Sequence, residues 1–203
     1  MVAVAVAFTA LGAVASAANG GPTRFAGDAK VAGITRAGAS YHFKTVTERS
    51  ADGRLRVSLP TAWSNHAAAA LRRPNTDEVY GVGIRASTDL AKLSKTYDVA
   101  GVRVTVTSEV PDPFDPVGVL QANMFTGCRA HRIFDYDNGT YSGKARIFSR
   151  CGQQATAGIV VAALDRAHDV FVVVAGQART KADLAAIDRA LATAKLTPAV
   201  PST

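Results

Sequence analysis

The sequence predicts an α+β domain in which an antiparallel β-sheet is flanked by helices. Three observations lead to this prediction. Short segments of alternating apolar and polar residues recur along the chain, turn residues separate most of them, and an amphipathic segment with a capping motif follows the last one. Strands joined by short turns form antiparallel sheets, and an amphipathic terminal helix must bury its apolar face against such a sheet.

The first half of the chain predicts a hairpin, two further strands and two short helices. The hairpin turns at Asp52-Gly53 and ends at Pro60, which cannot continue a ladder of backbone hydrogen bonds. One helix is expected after Ser87-Thr88-Asp89, a run of good N-cap residues, and the other at 116–121. The four strands are expected at 41–48, 54–59, 79–86 and 102–107.

The second half predicts three more strands and a closing helix. The strands are expected at 141–149, 155–164 and 170–177, each bounded by turn residues. Thr180-Lys181-Ala182-Asp183 has the form of a capping box, which marks the start of a helix. The apolar stripe of that helix is expected to consist of Leu184, Ile187, Leu191 and Leu196.

The composition is that of one globular domain without a metal or cofactor. The chain has 203 residues, of which 48% are hydrophobic and 19% are charged. Its 2 cysteines and 4 scattered histidines are too few for a thiolate zinc site or an iron–sulfur cluster. We therefore expect neither a metal centre nor a cofactor.

The N-terminal residues indicate export. Residues 1–18 carry no charged side chain, begin with an apolar Ala/Val run and reach the small-x-small motif Ala15-Ser16-Ala17. Such a segment is typical of a signal peptide, here with Ala15 and Ala17 at the cleavage site and cleavage after Ala17. The alternative is a retained membrane anchor. The protein is thus expected to be secreted or held on the extracytoplasmic face of the membrane.

The remaining boundaries follow from composition. The glycine-rich, aperiodic stretch at 19–39 predicts a flexible basic linker, with the folded domain at 40–197 and a disordered tail at 198–203. Two interpretations of the basic charge stay open: attachment to anionic lipid or cell-wall polymer, or a solvated surface, which the wide spacing of the charges favours. Nucleic acid is not an expected partner, because export separates the chain from it and no basic recognition helix appears.

Cys128 and Cys151 are predicted to form one disulfide, because an exported chain with an even number of cysteines is usually oxidised. The loop between them contains Asp135-Tyr136-Asp137-Asn138-Gly139, which resembles the start of a calcium-binding EF-hand loop. The glycine comes one position early, however, and Arg146 stands where that loop requires a glutamate. We therefore expect a tight turn at Asn138-Gly139, held against the sheet by the disulfide.

Enzymatic motifs are absent from the sequence or lack the required context. The segment 81–86 contains a Gly-x-Gly pattern, but a polar stretch precedes it and no helix follows directly, so its glycines are expected to mark close packing. A hydrolase is the enzymatic alternative, because each histidine could serve a nucleophile, although Gly-x-Ser-x-Gly, His-Glu-x-x-His and Ser-x-x-Lys motifs are missing. The histidines are His42, His66, His131 and His168.

Several segments resemble the PsbP/Mog1-like α/β/α sandwich in its exported actinobacterial form. The first is the "Gly, apolar strand, Pro, small, Trp" element at 53–63. The others are Thr88-Asp89-Leu90, residues 98–102, Cys128, residues 136–143, Cys151-Gly152 and residues 182–188. The resemblance covers roughly residues 40–196, with departures at Ala62 and Asn138, where glycine and aspartate are usual. It implies a domain that stands alone behind a signal or anchor, or is fused to a trypsin-like protease or other modules, with no activity attributed to the domain itself.

These observations predict a non-catalytic accessory or binding domain of the cell envelope or extracellular space. Its partner is expected to be a protein or an envelope component that the sequence does not identify. The candidate contact residues are those of the predicted turn, Tyr136, Asp137, Asn138 and Tyr141, whereas Trp63 is expected in the core. Two alternatives remain: a secreted hydrolase that is protease-associated or acts on glycans, and a structural protein attached to the envelope surface.

Overall fold

The computed structural model describes Phe25 and residues 28–50, 53–72, 76, 78–93, 95–153 and 155–198. The predicted export segment and its cleavage site lie outside the described residues, as do residues 199–203. The described chain is mostly antiparallel β-sheet with a few short helices and one disulfide. None of its helices has the length and apolar character needed to cross a membrane.

Eleven strands and four helices make up the described part. The helices are α1 (Ala29–Ala32), α2 (Leu90–Leu93), α3 (Pro116–Ala122) and α4 (Lys181–Thr193). The strands of the first half are β1 (Phe43–Ser50), β2 (Gly53–Pro60), β3 (Asn65–Ala68), β4 (Leu71–Arg72), β5 (Val79–Ser87) and β6 (Gly101–Thr107). Those of the second half are β7 (Arg129–Asp137), β8 (Tyr141–Cys151), β9 (Thr156–Asp165), β10 (Phe171–Ala178) and β11 (Lys195–Pro198).

The strands form two antiparallel sheets. A small sheet has the order β1-β2-β11, and a large one has the order β3-β5-β6-β10-β9-β8-β7, with β4 also paired to β5. The large sheet joins sequence-distant strands, since β6 pairs with β10 in the register Val104↔Val174. It therefore brings the first and second halves of the chain into one domain.

The main core lies between the large sheet, the small sheet and α4. Trp63, which was predicted to be a core residue, is fully buried and packs edge-on to Tyr41 with ring centroids 5.9 Å apart. Helix α4 contributes its apolar stripe, and Ile187 packs where Gly176 of β10 leaves room for it. The stripe differs from the prediction in one respect: the helix ends at Thr193, and Leu196 lies on β11.

A second, smaller core covers the opposite face of the large sheet. It is built from Phe148 of β8, Val160 of β9 and Leu120 of α3, with Phe125 packed against it. Strand β9 is buried on both faces, which explains its nearly continuous apolar sequence. The large sheet is thus covered by α4 and the small sheet on one side and by α3 with its neighbouring loops on the other.

The second half of the predicted flexible linker, 19–39, is packed against the domain. Phe25, Ala29 and Ala32 recur at helical spacing, and all three are buried in the main core. Phe25 stacks on Tyr136 with ring centroids 5.6 Å apart, and its backbone N–H donates to Asp188 Oδ2 at 2.7 Å. The linker prediction was wrong for this segment because its frequent glycines concealed a short amphipathic pattern.

Asp183 anchors the start of α4. The predicted capping box is present: Thr180 Oγ1 accepts from the Asp183 N–H at 3.1 Å, and Asp183 Oδ2 accepts from the Thr180 N–H at 2.9 Å. The same carboxylate accepts from the Arg179 N–H at 3.0 Å and from the Tyr41 hydroxyl at 2.6 Å. This one buried side chain therefore joins the helix to the segment that leads into β1.

Candidate functional site

The predicted partner-binding turn joins β7 to β8, and its two tyrosines point into the core. Tyr136 and Tyr141 are only 1% and 3% exposed. Asn138 Oδ1 accepts from the backbone N–H groups of Thr140 and Tyr141, which confirms the predicted tight turn. Asp137 is exposed and lies 3.6 Å from an Arg166 guanidinium nitrogen. The rings therefore stabilise the fold, and contact with a partner stays a prediction for Asp137 and Asn138 at the surface.

The buried Tyr141 hydroxyl predicts a loss of stability at alkaline pH. Burial, with a smaller contribution from Asp165, raises the pKa of Tyr141 to about 12, from an ordinary value of 10.0. Between these values the unfolded chain loses a proton that the folded protein keeps, so the free energy of unfolding falls as the pH rises above 10. Tyr141→Phe should make this fall shallower in urea denaturation at pH 9 to 11.5. If the free energy of unfolding falls equally steeply with pH in the two proteins, the Tyr141 hydroxyl does not cause the loss of stability.

Cys128 and Cys151 form the predicted disulfide, but at the opposite end of the hairpin from the turn. Cys128 directly precedes β7 and Cys151 ends β8, with their Cα atoms 4.4 Å apart. The bond therefore does not hold the turn at Asn138, as the sequence had indicated. It holds instead the loop that carries Phe125, whose ring packs on Phe148 with centroids 5.4 Å apart.

One histidine of the described chain, His131, lies beside a serine hydroxyl. His131 Nε2 lies 2.7 Å from Ser149 Oγ, the spacing of a nucleophile and its base. His131 lines an open cavity of about 600 Å³, but Ser149 is 5% exposed and is not part of its lining. His66 lies on β3, whereas His42 directly precedes β1 and His168 lies between β9 and β10. The described residues also contain no group of three or more metal-ligating side chains.

A concave site lies in a groove on the face of the large sheet opposite α4. Its floor is formed by β5, β6 and β10, and its walls by α2, by α3 and by Phe125. Two adjoining cavities of about 200 and 220 Å³ share Arg103 and Ala175 in their linings. Together they reach the size range of small-ligand sites, roughly 300 to 1,000 Å³. We call this site the arginine groove.

The strand alternation of the sequence builds the floor of the groove. In β5, Val82 and Ile84 point into the main core, so Gly83 and Arg85 face the other way. Gly83 has no side chain because a Cβ there would overlap the carbonyl oxygen of Ala69, which confirms the close packing predicted for these glycines. In β6 the same alternation places Arg103 on the groove face.

Two arginines stand side by side in the groove without a negative partner. Arg85 and Arg103 are directly opposite in the β5–β6 register, which places their Cβ atoms about 5 Å apart. In the described part of the chain, no carboxylate lies within ion-pair distance of either guanidinium. Partial burial, followed by the charge of Arg85, lowers the pKa of Arg103 from its ordinary value. The two positive charges therefore form a site that can attract an anion.

Unsatisfied polar atoms accompany this charge. Arg85 Nε is buried and has no hydrogen-bond partner among the described residues, and the same holds for Oε1 of Gln177. The amide group of Gln177 is oriented by its Nε2, which donates to the Leu93 carbonyl oxygen at 3.1 Å. Buried polar groups in proteins are normally hydrogen-bonded, so these two atoms are available to bind water, an ion or a ligand in the adjoining cavity.

Sequence reasoning missed Arg85, Arg103 and Gln177 as functional residues. Each lies at a polar position of an alternating strand, where a solvated face is the ordinary explanation. One feature of the sequence could have indicated the groove: Arg85 lies two residues after Gly83 and therefore on the same face of a strand that was expected to pack closely. Their convergence depends on the pairing of β5, β6 and β10, which no local pattern specifies.

Removing one of the two like charges is expected to stabilise the protein when no ligand is bound. Like charges directly opposite on neighbouring strands are destabilising, so Arg103→Gln should raise the free energy of unfolding by about 0.5 kcal/mol. The matched control is Arg132→Gln, which removes an exposed arginine from an irregular stretch of β7. Chemical denaturation at low salt measures the free energy of unfolding of both variants. A destabilised Arg103→Gln variant would show that the arginine pair supports the fold.

A second basic region covers the outer face of the small sheet. Arg54 lies opposite Arg49, and Arg56 lies opposite Lys195, and all four side chains are exposed. Glu48 lines the same shallow hollow, but no carboxylate of the described residues forms an ion pair with these cations. We call this surface the basic face. Charges that are dispersed in the sequence are thus gathered by strand pairing.

Comparisons of this chain with protein-family models, with curated proteins and with solved structures gave no match. The resemblance to PsbP/Mog1-like domains therefore stays a prediction.

Proposed function

We propose that this chain is an exported, non-catalytic binding domain whose binding site is the arginine groove. The observation that carries the proposal is the pair Arg85 and Arg103, which face a cavity without any carboxylate partner in the described residues. Arg103 is exposed and Arg85 is half-buried, so water solvates these charges in the absence of a ligand. An anion that enters the groove meets both positive charges without competition from a carboxylate of the described residues.

The groove supports binding rather than catalysis. It contains cations, an amide and apolar walls, and the described residues of its lining include no histidine, cysteine or carboxylate that could act as a base or nucleophile. Tyr80 and Thr105 contribute hydroxyl groups, and the Thr105 hydroxyl donates to the Val173 carbonyl oxygen at 3.2 Å. Such a set of side chains can hold and orient an anion.

Secretion and the fold family belong to the same proposal. The Cys128–Cys151 disulfide indicates an oxidising, extracytoplasmic environment. The uncharged residues 1–18 support an export signal or anchor. The placement of α4 and α3 on opposite faces of the large sheet is compatible with a PsbP/Mog1-like sandwich, whose exported members serve as accessory modules.

Site-specific crosslinking in the envelope fraction tests the proposal. A photoreactive residue replaces Leu90 in the groove wall, or Thr47 on the basic face as a control position. We expect a discrete adduct from position 90 that disappears with Arg85→Gln/Arg103→Gln and persists with Arg54→Gln/Arg56→Gln, which removes the same charge elsewhere. Adducts only from position 47, or peptide or glycan turnover abolished by Ser149→Ala, would overturn it.

A surface-attachment role is the second candidate, and the basic face is the observation that favours it. Four exposed cations on one small sheet can bind an anionic membrane or polymer, and such binding weakens with salt. The double variant Arg54→Gln/Arg56→Gln should then lose retention on anionic vesicles at low ionic strength. Retention that depends on Arg85 and Arg103 instead would rule out the basic face as the attachment site.

A further inference from the structure

We propose that the arginine groove recognises an N-acylated α-amino acid carboxylate with an apolar side chain. This chemistry occurs at the C-terminus of a peptide and in a free N-acylated amino acid. The inference rests on the proposed binding function of the groove and specifies its ligand. Three features of the groove each select one part of such a molecule.

The arginine pair selects a carboxylate. A guanidinium presents N–H donors in a planar fork that matches the two oxygens of a carboxylate, and two adjacent forks can hold one carboxylate from both sides. Arg85 and Arg103 are adjacent because they are directly opposite in the β5–β6 register. The ligand's negative charge would offset the repulsion between the two guanidinium groups, which adds to partial burial, the larger cause, in lowering the pKa of Arg103.

The apolar cavity on the other side of Arg103 selects the side chain. Its lining includes Leu71, Val119, Phe171 and Val173, and its volume is about 200 Å³. A branched aliphatic side chain attached one carbon away from a carboxylate at Arg103 can reach this cavity. Burial of a leucine-sized group contributes about tenfold or more to affinity.

The orphaned amide oxygen of Gln177 selects a hydrogen-bond donor. Gln177 lines the cavity that also contains Arg85, and its Oε1 is an acceptor that no group of the described residues satisfies. In an N-acylated amino acid the amide nitrogen is bonded to the same carbon that bears the carboxylate and the side chain. It therefore supplies a donor on the side of the carboxylate opposite to a side chain in the apolar cavity.

Fluorescence anisotropy of dye-labelled peptides tests these three assignments separately. The reference probe is a glycine/serine pentapeptide that ends in leucine with a free carboxylate. Its C-terminal amide and its glycine-ended analogue should each bind at least about tenfold more weakly, and the N-methyl-leucine analogue about fivefold more weakly. The variant Arg85→Gln/Arg103→Gln should bind the reference peptide at least about tenfold more weakly than the parent protein. The affinity of the control variant Arg54→Gln/Arg56→Gln should stay within about twofold of the parent.

Competition by N-acetyl-leucine distinguishes the two sources of this chemistry. Displacement at about millimolar concentration, expected for so small a ligand, supports recognition of the last residue alone. Binding of the peptide without displacement by N-acetyl-leucine supports protein C-termini as the source. Equal binding of acid and amide, indifference to the leucine side chain, or equal loss in the Arg54/Arg56 variant would overturn the proposal. Thermal melts confirm that each variant is folded.

The crosslinking experiment separates failure of the ligand from failure of the function. An adduct at position 90 that depends on Arg85 and Arg103, together with peptides that do not bind, means that the groove binds a different anion. Absence of both the adduct and the peptide complex removes the binding function as well.

Discussion

Replacing Asp183 with alanine is expected to lower the free energy of unfolding by about 3 to 5 kcal/mol. The carboxylate caps α4 and also accepts from the Arg179 N–H and the Tyr41 hydroxyl, all at 3.0 Å or less. Loss of an N-terminal cap costs about 1 kcal/mol, and each buried donor left without an acceptor adds about 1 to 3 kcal/mol. Urea denaturation followed by circular dichroism measures the change.

Two further variants test the reason for this loss. Asp183→Asn keeps the shape of the side chain but turns an amide donor toward existing donors, so it should still cost about 2 kcal/mol. The control is Lys181→Ala, at an exposed position two residues before Asp183 in the same helix. It should change the free energy of unfolding by less than about 0.5 kcal/mol. An Asp183→Ala variant within 1 kcal/mol of the parent protein would mean that these three hydrogen bonds contribute little to stability.

Removal of the disulfide is expected to cost about 3 kcal/mol. The bond joins residues 23 apart in sequence, and closing a loop of that length stabilises a protein by about this amount in the loop-entropy model. The double variant Cys128→Ala/Cys151→Ala should unfold at a correspondingly lower urea concentration. It should also bind peptides more weakly, because the disulfide holds the loop that carries Phe125, a residue in the wall of the arginine groove.

Reduction of the parent protein is the control for this variant. Reductant should lower the stability of the parent to that of the double variant and should leave the variant unchanged. Equal stability of the oxidised and reduced parent would show that native packing alone restrains the loop between Cys128 and Cys151.

Elements with strong local patterns were predictable from the sequence. The capping box at Thr180 is a contiguous motif, and the hairpin of β1 and β2 alternates on both sides of Gly53. By contrast, β7 was missed because its pairing shifts between Ala130 and Ile133, which interrupts the alternation. Short β3 and β11 carry too few residues for any periodic signal.

Sites made by distant strands were not predictable from the sequence. The turn before Tyr141 was correctly expected, but its neighbouring rings face the core because Tyr136 lies at an inward position of β7. Arg85 and Arg103 come together only because α2 returns the chain for antiparallel pairing in one particular register. A shift of one residue would place the arginines in the main core.

NMR of the arginine Nε–H groups tests directly whether the arginine groove is the binding site. The protein is labelled with ¹⁵N and titrated with the leucine-ended peptide, and site assignments come from single Arg→Gln variants. We expect saturable shifts of the Arg85 and Arg103 signals, with those of Arg54 and Arg56 unchanged. Shifts confined to Arg54 and Arg56, or no shift at a concentration that saturates anisotropy, would contradict this expectation.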